Sequence, residues 1–288
     1  MDIIGQIAAV IMLSPLVSGV ITKIKNDLRM RKGQGILQPY YNLAKLMGKD
    51  EVVSETASWI FKAAPFVIMA SSLAGLFLVP LAVPARDFPG DCLALIFVLG
   101  LGRFFMALAA LDTASSFGGM GSSREMFISS LAEPAACLAF FTAALPAKTT
   151  MIAWMGQGGF HVSALGACCA LAMVAIAETS RIPVDNQETH LELTMIHEAM
   201  VLEYSGRRLA LIEMSSYIRQ MVWFSLIAWL VFPAAPAYLF PVKILAIAAL
   251  VAVLEVSVAK MRLFRAADYF GFAFVLGLIS AAAAIFGV

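Results

Sequence analysis

Residues 91–111 read DCLALIFVLGLGRFFMALAAL. An acid opens it, one arginine, Arg103, sits near its middle, and nearly everything else is apolar. A hydrocarbon core about 30 Å thick is crossed by roughly 20 such residues in a helix. In lipid every backbone amide must be paired within its own segment, so a continuous apolar run is a helix and not an open strand. Comparable runs lie at 3–21, 59–83, 124–145, 160–178, 215–232, 238–259 and 268–287. The short alternating segments of a β-barrel are absent. The expected fold is therefore an all-α integral membrane protein, one membrane domain over 1–288 with about eight transmembrane helices.

Composition agrees. Hydrophobic residues are 61% of the chain, charged residues 14%, and mean hydropathy is +0.88; a soluble domain carries about 25% charged residues. The net charge of +1 gives no sign of a nucleic-acid partner, and none is expected. The first run has no basic residue before it and no small-residue cleavage site after it, so it reads as a retained helix and not as a signal peptide.

Charge distribution sets the orientation. Lys23, Lys25, Arg29, Arg31, Lys32, Lys45 and Lys49 follow the first helix, Arg181, Arg207 and Arg208 the fifth, and Lys260, Arg262 and Arg265 the seventh. The opposite side offers Arg86, Lys148 and Lys243. The positive-inside rule then places both termini outside and the two long loops, 22–58 and 178–214, in the cytoplasm. Cys92, Cys137, Cys168 and Cys169 all lie in apolar segments without metal-ligand spacing, so they read as packing residues and no cofactor is expected in this chain. No Rossmann glycine pattern, P-loop, HExxH, nucleophile elbow or internal repeat is present.

The first long loop combines Gly33 and Gly35, which permit a sharp turn, with Gln38 and Pro39. After Pro39, Tyr40, Leu43, Ala44, Leu46 and Met47 recur at helical spacing with Lys45 and Lys49 among them. That is an amphipathic helix at the interface, and it reads equally as a lipid anchor and as a partner surface. The second long loop concentrates Glu178, Asp185, Glu188, Glu192, Glu198, Glu203 and Glu213. If Pro183 starts a helix there, Asp185, Glu188 and Glu192 step by three and four along one face. Such a stripe is either a solvated acidic face or a proton entry path, with Arg181 in reach of Glu178.

Inside the membrane, Arg103 lies about 12 Å from the cytoplasmic end of its helix and Glu133 about 14 Å from the same side, by helical rise. Charges at that depth face the bundle interior and pair, so an Arg103–Glu133 pair is expected. Pro134 disturbs the backbone beside it. Glu125 lies one to two turns below, and Glu255 sits about 8 Å in by the same rise. His161, His190 and His197 form no ligand set.

These residues carry a resemblance. Glu178, Arg181, Pro183, Asp185, Glu188, Glu192 and Leu193, ending in Glu203-Tyr204-Ser205-Gly206, resemble the acidic loop of the complex I subunit that helps form the quinone chamber. Arg29, Arg31, Gly33, Gly35, Leu37-Gln38-Pro39 and Lys45-Leu46 resemble the same family's sequence after helix 1. Leu111-Asp112-Thr113 to Phe117, Gly121 to Arg124-Glu125, and Glu133-Pro134 resemble its hydrogenase branch, the membrane anchors of group 4 nickel–iron hydrogenases such as formate hydrogenlyase and hydrogenase-4. Val184 stands where the complex I pattern has Phe, and Ile196 to Met200 replace a glycine-containing turn; both departures count against a quinone pocket.

The resemblance implies a non-catalytic subunit in a prokaryotic cytoplasmic membrane. Its partners would be an iron–sulfur protein like the hydrogenase small subunit, a nickel–iron large subunit and antiporter-like membrane subunits. Iron–sulfur clusters and the nickel–iron centre would sit in those partners. Glu178, Asp185, Glu188, Glu192, Glu203, Glu125, Glu133, Arg103 and Glu255 would relay charge. Arg29, Arg31, Gly33, Gly35, Gln38, Pro39, Lys45, Arg181, Pro183, Tyr204 and Gly206 would form the docking face. The rival readings are a quinone-linked complex I subunit, a stand-alone secondary transporter and a plain assembly anchor.

Overall fold

The computed structural model describes residues 3–54, 56–81, 90–155, 162–186, 195–231 and 236–286. They form a helical bundle: α1 (Ile3–Leu28), α2 (Gln38–Met47), α3 (Trp59–Leu78), α4 (Cys92–Asp112), α5 (Ser116–Ala144), α6 (Ile152–Met155), α7 (Val162–Glu178), α8 (His197–Val201), α9 (Gly206–Val231), α10 (Phe240–Ser257) and α11 (Ala266–Phe286). No strand occurs among the described residues. Among the described residues, six stretches are long and apolar enough to cross a membrane: Gly5–Leu28, Trp59–Leu78, Cys92–Asp112, Ser116–Ala144, Phe240–Ser257 and Leu263–Phe286. The chain is a multi-pass membrane protein. Helix α7 has 17 residues, and α9, though 26 residues long, carries Arg207, Arg208, Glu213 and Arg219.

Several helices overrun the bounds read from hydropathy. Helix α1 continues from 21 to Leu28, α5 starts at Ser116 and not at 124, and α9 starts at Gly206 and not at 215. The added turns hold Lys23, Lys25, Asn26 and Asp27, or Arg207, Arg208 and Glu213. Polar side chains lower the hydropathy of a segment but do not interrupt its i to i−4 bonding. Helix α3, by contrast, stops at Leu78.

Local chemistry fixes the ends. Ser58, Asp91 and Ser115 each accept amides from the first turn of α3, α4 and α5, satisfying donors that have no partner within the helix. Asp112, at the end of α4, also accepts from Ser58 N and Phe61 N at 2.7 and 3.3 Å, so α4 stops where its neighbour begins. Helices α1 and α7 close alike. Met30 and Ser180 adopt φ values of 55° and 52°, and the next amides, of Arg31 and Arg181, bond back to Asn26 O and Ile176 O at 2.9 and 3.0 Å. That is the Schellman closure, and it turns the chain sharply just past Glu178.

Helices α3 and α4 pack as a pair, α11 lies across α5 and α7, α1 contacts α9 and α10, and α9 also packs on α3. One core joins α1, α3, α4, α5, α7, α9, α10 and α11 around residues such as Leu95, Phe140, Leu171, Ile218 and Phe270. A second, smaller core joins Phe61, Ile68, Met106, Met200, Tyr204 and Ile212. It fastens the loop before α9 to the α3–α4 pair.

A candidate charge-relay site

The last residue of α7 begins the site. Glu178 is buried and its Oε1 accepts from Arg103 Nη1. The same nitrogen donates to Ser129 Oγ at 3.2 Å, while Nη2 donates to Glu133 Oε1 at 2.7 Å. One guanidinium on α4 is therefore clamped between carboxylates from α5 and α7. The pairing of Arg103 with Glu133 is the one expected from equal depth; the second carboxylate is added by the fold. Arg103 Nε, Glu178 Oε2 and Trp223 Nε1 are buried without a partner among the described residues. All three side chains border a cavity of about 10 Å³ that also touches Glu133, a volume that holds one water molecule.

Arg181 lies three residues beyond Glu178, yet it does not pair with it as the sequence suggested. Ser180 in the left-handed conformation turns the backbone, and Arg181 points into a different set of helices. Its Nη1 donates to Glu255 Oε1 on α10 at 2.7 Å and its Nη2 to Gln220 Oε1 on α9 at 2.8 Å. Glu255 Oε2 in turn meets Lys25 Nζ of α1 at 2.5 Å. All three ionised side chains are buried, and a cavity of about 60 Å³ lies beside them, lined by Thr22, Ser180 and Asn186 among others.

The chain after Arg181 corrects another expectation. Pro183 does not open a helix: 182–184 form a turn, and Asp185 and Asn186 have no regular structure. Asp185 is consumed by a different task. Its Oδ2 accepts from Ile196 N and His197 N at 3.2 and 3.0 Å, capping α8 from across the loop. Its Oδ1 takes Asn186 N at 2.8 Å and Lys260 Nζ at 2.7 Å. Pro183 O accepts from Met261 N at 2.8 Å. Glu188 and Glu192 lie outside the described residues, as does His190. So does His161.

Helix α8 is seated on α5 at Gly121, where a Cβ would come within 3.1 Å of Ala199, Met200 and Ile196 O. Arg124 on the next turn donates to Met195 O at 3.0 Å. Beneath this contact, Glu125, Arg103, Arg219, Ser215 and His197 line another cavity of about 10 Å³. Burial, reinforced by the Arg219 charge and opposed by Asp185, holds His197 down at about 4. Burial, reinforced by Glu213 and Asp185, pushes Glu198 up to about 7. Glu203 is exposed.

The docking residues divide. Arg31, Gly33, Gly35 and Lys45 are exposed; Arg29, Gln38, Pro39 and Pro183 are half-buried. Arg181, Tyr204 and Gly206 are buried within the chain. Tyr204 stacks on Phe61 at 4.0 Å and donates to Phe61 O at 3.0 Å. Gly206 has φ +54°, and a Cβ there would lie 2.7 Å from Asp50 O. Ser205 and Val52 exchange two hydrogen bonds at 2.9 and 3.1 Å.

Sequence reasoning singled out neither Arg219 nor Gln220, and it counted Lys25 and Lys260 only among the basic loop residues. The signal for Arg219 was present, since an arginine inside the apolar run 215–232 needs a partner at depth. Lys25 was counted as a surface cation because hydropathy ended the first helix too early.

Comparison with known proteins places these residues in context. A family model described as NADH dehydrogenase matches residues 1–286. Hydrogenase-4 component C of Escherichia coli (strain K12) is 33% identical over 267 residues, covering 90% of this chain and 82% of its own. Formate hydrogenlyase subunit 4 of the same organism is 28% identical over 257 residues, covering 86% and 83%. NADH-quinone oxidoreductase subunit 8 of Rhodothermus marinus is 27% identical over 211 residues, covering 69% and 61%. A chain of the membrane-bound sulfane sulfur reductase, an archaeal respiratory membrane complex, superposes with a TM-score of 0.85 at 18% identity, with 96% of each chain covered; that likeness shows the shared fold.

Proposed function

The chain belongs to the NADH dehydrogenase family, and on that premise we propose that it is the membrane subunit of an energy-converting hydrogenase complex. It docks a peripheral redox arm and couples the arm's chemistry to translocation of protons or sodium. The branch rests on the similarity to hydrogenase-4 component C and formate hydrogenlyase subunit 4, which extends over most of all three chains. The observation that carries the coupling role is Arg103 held between Glu133 and Glu178.

The geometry suggests how charge would pass. A proton arriving on either carboxylate neutralises it and leaves Arg103 to the other, so a shift of charge on α7 is felt on α5 without large movement. Residues 178–186 tie together α4, α8, α9, α10 and the start of the last connection, and reach α5 through Arg103. A charge change delivered to this segment by a bound redox partner reaches both buried networks. Glu188, Glu192 and Glu203 would gather protons at its entrance, with Glu125 and Glu255 along the way.

In the same reading the chain is one domain of eight transmembrane helices in a prokaryotic cytoplasmic membrane, with both termini outside. Helix α2 lies at the lipid surface, and the exposed Arg31, Gly33, Gly35 and Lys45 face the iron–sulfur and nickel–iron subunits, which hold the cofactors. Antiporter-like subunits complete the membrane arm. The experiment is a mild-detergent purification of the tagged chain with mass spectrometry and a hydrogen-evolution assay. Nickel–iron subunits and hydrogen evolution support the reading; NADH-oxidising subunits with inhibitor-sensitive quinone reduction would transfer the chain to the quinone-linked branch, to which the NADH-quinone relatives point. Recovery of the chain alone, with substrate uptake, would make it a transporter.

A further inference from the structure

The indole of Trp223, on α9, has no task in the fold beyond packing, yet it carries a buried N–H. Its Nε1 has no partner among the described residues, although the indole N–H of a buried tryptophan ordinarily finds an acceptor. Two more buried atoms beside it are left over in the same way. Arg103 spends Nη1 and Nη2 on Glu178, Ser129 and Glu133, which leaves Nε; Glu178 spends Oε1 on Arg103, which leaves Oε2. Arg103, Glu178 and Trp223, from α4, α7 and α9, border one cavity of about 10 Å³, and Glu133 of α5 completes its polar rim. The rest of the wall is apolar, Leu95 and Phe140 among it.

We propose that this cavity holds one fixed water joining Glu133 to Glu178, and that Trp223 is the positioning residue that keeps it there. This deepens the charge-relay reading above and rests on it. The volume admits one water molecule and nothing larger, and a buried water needs two to four polar partners. Here there are four, and they balance. The N–H groups of Arg103 and Trp223 donate to the water oxygen, and its two hydrogens are donated to the carboxylates of Glu178 and Glu133. An ion is opposed by half of the rim, a cation by Arg103 and a chloride by the two carboxylates.

Trp223 differs from the other members of the rim. Arg103, Glu133 and Glu178 pair with one another through charge, whereas Trp223 is neutral and the N–H is the one polar atom of its side chain. Its ring packs near Phe140 of α5, 6.5 Å between centroids and tilted by 34°, which fixes the indole at the cavity wall. Against such apolar neighbours a phenylalanine or leucine would pack without leaving a buried donor behind. The N–H gives the water a second donor beside Arg103 and so holds its hydrogens on the two carboxylates. A change of protonation on either carboxylate then reaches the other through one hydrogen-bonded molecule as well as through Arg103.

The test separates the N–H from the ring in the assembled complex. Trp223→benzothienylalanine keeps the fused ring and exchanges the N–H for sulfur, while Trp223→5-fluorotryptophan keeps the N–H. Ions translocated per hydrogen evolved, measured in proteoliposomes, should fall about tenfold with the first, as when a group that orients a reacting one is removed. The second should stay at the unsubstituted level. A packing role would treat the two alike. A cryo-EM map that resolves other buried waters should show density between Trp223 Nε1 and Glu178 Oε2 in the unsubstituted complex and none in the benzothienyl variant. Equal coupling in the two variants, or no such density in the unsubstituted complex, would overturn the proposal. An unsubstituted complex that evolves hydrogen without moving ions would instead overturn the charge-relay reading on which it rests.

Discussion

Around Arg103 one guanidinium is shared by two carboxylates; around Glu255 one carboxylate is shared by two cations. The two networks mirror each other in charge, and Glu178 and Arg181, three residues apart, belong one to each. They differ in exposure too. The side chains of the Glu255 network are all buried, whereas the Arg103 network opens at Glu133. A site with a carboxylate to spare can accept a proton and keep its salt bridge, while a site with one carboxylate for two cations is a structural brace. On the reading proposed above, the first network is the open point of the charge path, and the second, which includes Glu255, also braces the helices.

Breaking the brace should have the largest effect. Glu255→Gln strips the shared carboxylate from Lys25 and Arg181, and removing one partner of a buried pair costs about 3–5 kcal/mol. The expected result is little folded protein in the membrane, read by size-exclusion profile and thermal unfolding, with Glu255→Asp far milder. A normal profile for Glu255→Gln would erase the distinction between the networks.

At the other network, Glu133→Gln leaves Arg103 with Glu178 and a hydrogen-bonding amide, so folding and dye-linked hydrogenase activity should be retained. Ion translocation should fall roughly 10²-fold, the usual cost of removing a positioned proton-transfer group. Unimpaired pumping in proteoliposomes would remove Glu133 from the path.

Asp185→Asn sharpens the comparison at the link beyond both. It loses the ion pair with Lys260 and weakens the cap on α8, each an interaction worth about 1 kcal/mol. Faster hydrogen exchange of the Ile196 and His197 amides is expected, with the bundle otherwise unchanged.

In the unsubstituted chain the smallest net effect is in pH, because two shifts oppose each other. His197 is held at about 4 against an ordinary 6.5, so the unfolded chain binds the extra proton between those values and stability from this group rises with pH there. Glu198 is pushed to about 7 against an ordinary 4.5, so the folded chain keeps the extra proton and stability from this group falls between 4.5 and 7. The two trends oppose each other in adjacent residues. Glu198→Gln should leave a stability that increases from pH 4.5 to 6.5, and His197→Phe one that decreases, both visible in melting temperatures across that range.

The site was legible in part. Arg103 and Glu133 could be paired from the sequence because each lies within a continuous helix, where residue number converts to depth. Glu178 could not be assigned to Arg103, because its partner depends on which way the chain turns after α7. An i, i+3 rule presumes that the helix continues, and Ser180 ends it. Asp185 was placed on a helix for the same reason: Pro183 permits a helix start, but the amides of Ile196 and His197 and the Lys260 amine bind its carboxylate elsewhere. The residues expected to dock were grouped by composition and not by geometry, and Tyr204 and Gly206 turn inward to fasten the loop after α2 to the start of α9.

Alone, the sequence determined the membrane character, the all-helical class and most of the helix cores. Hydrophobicity and backbone pairing in lipid are local demands, satisfied within about 20 residues at a time. Only the tertiary structure decided which buried charges share a partner. That choice depends on helices separated by as many as 230 residues, such as Lys25 and Glu255, meeting at one depth, and a long-range electrostatic contact leaves no periodic trace in the chain.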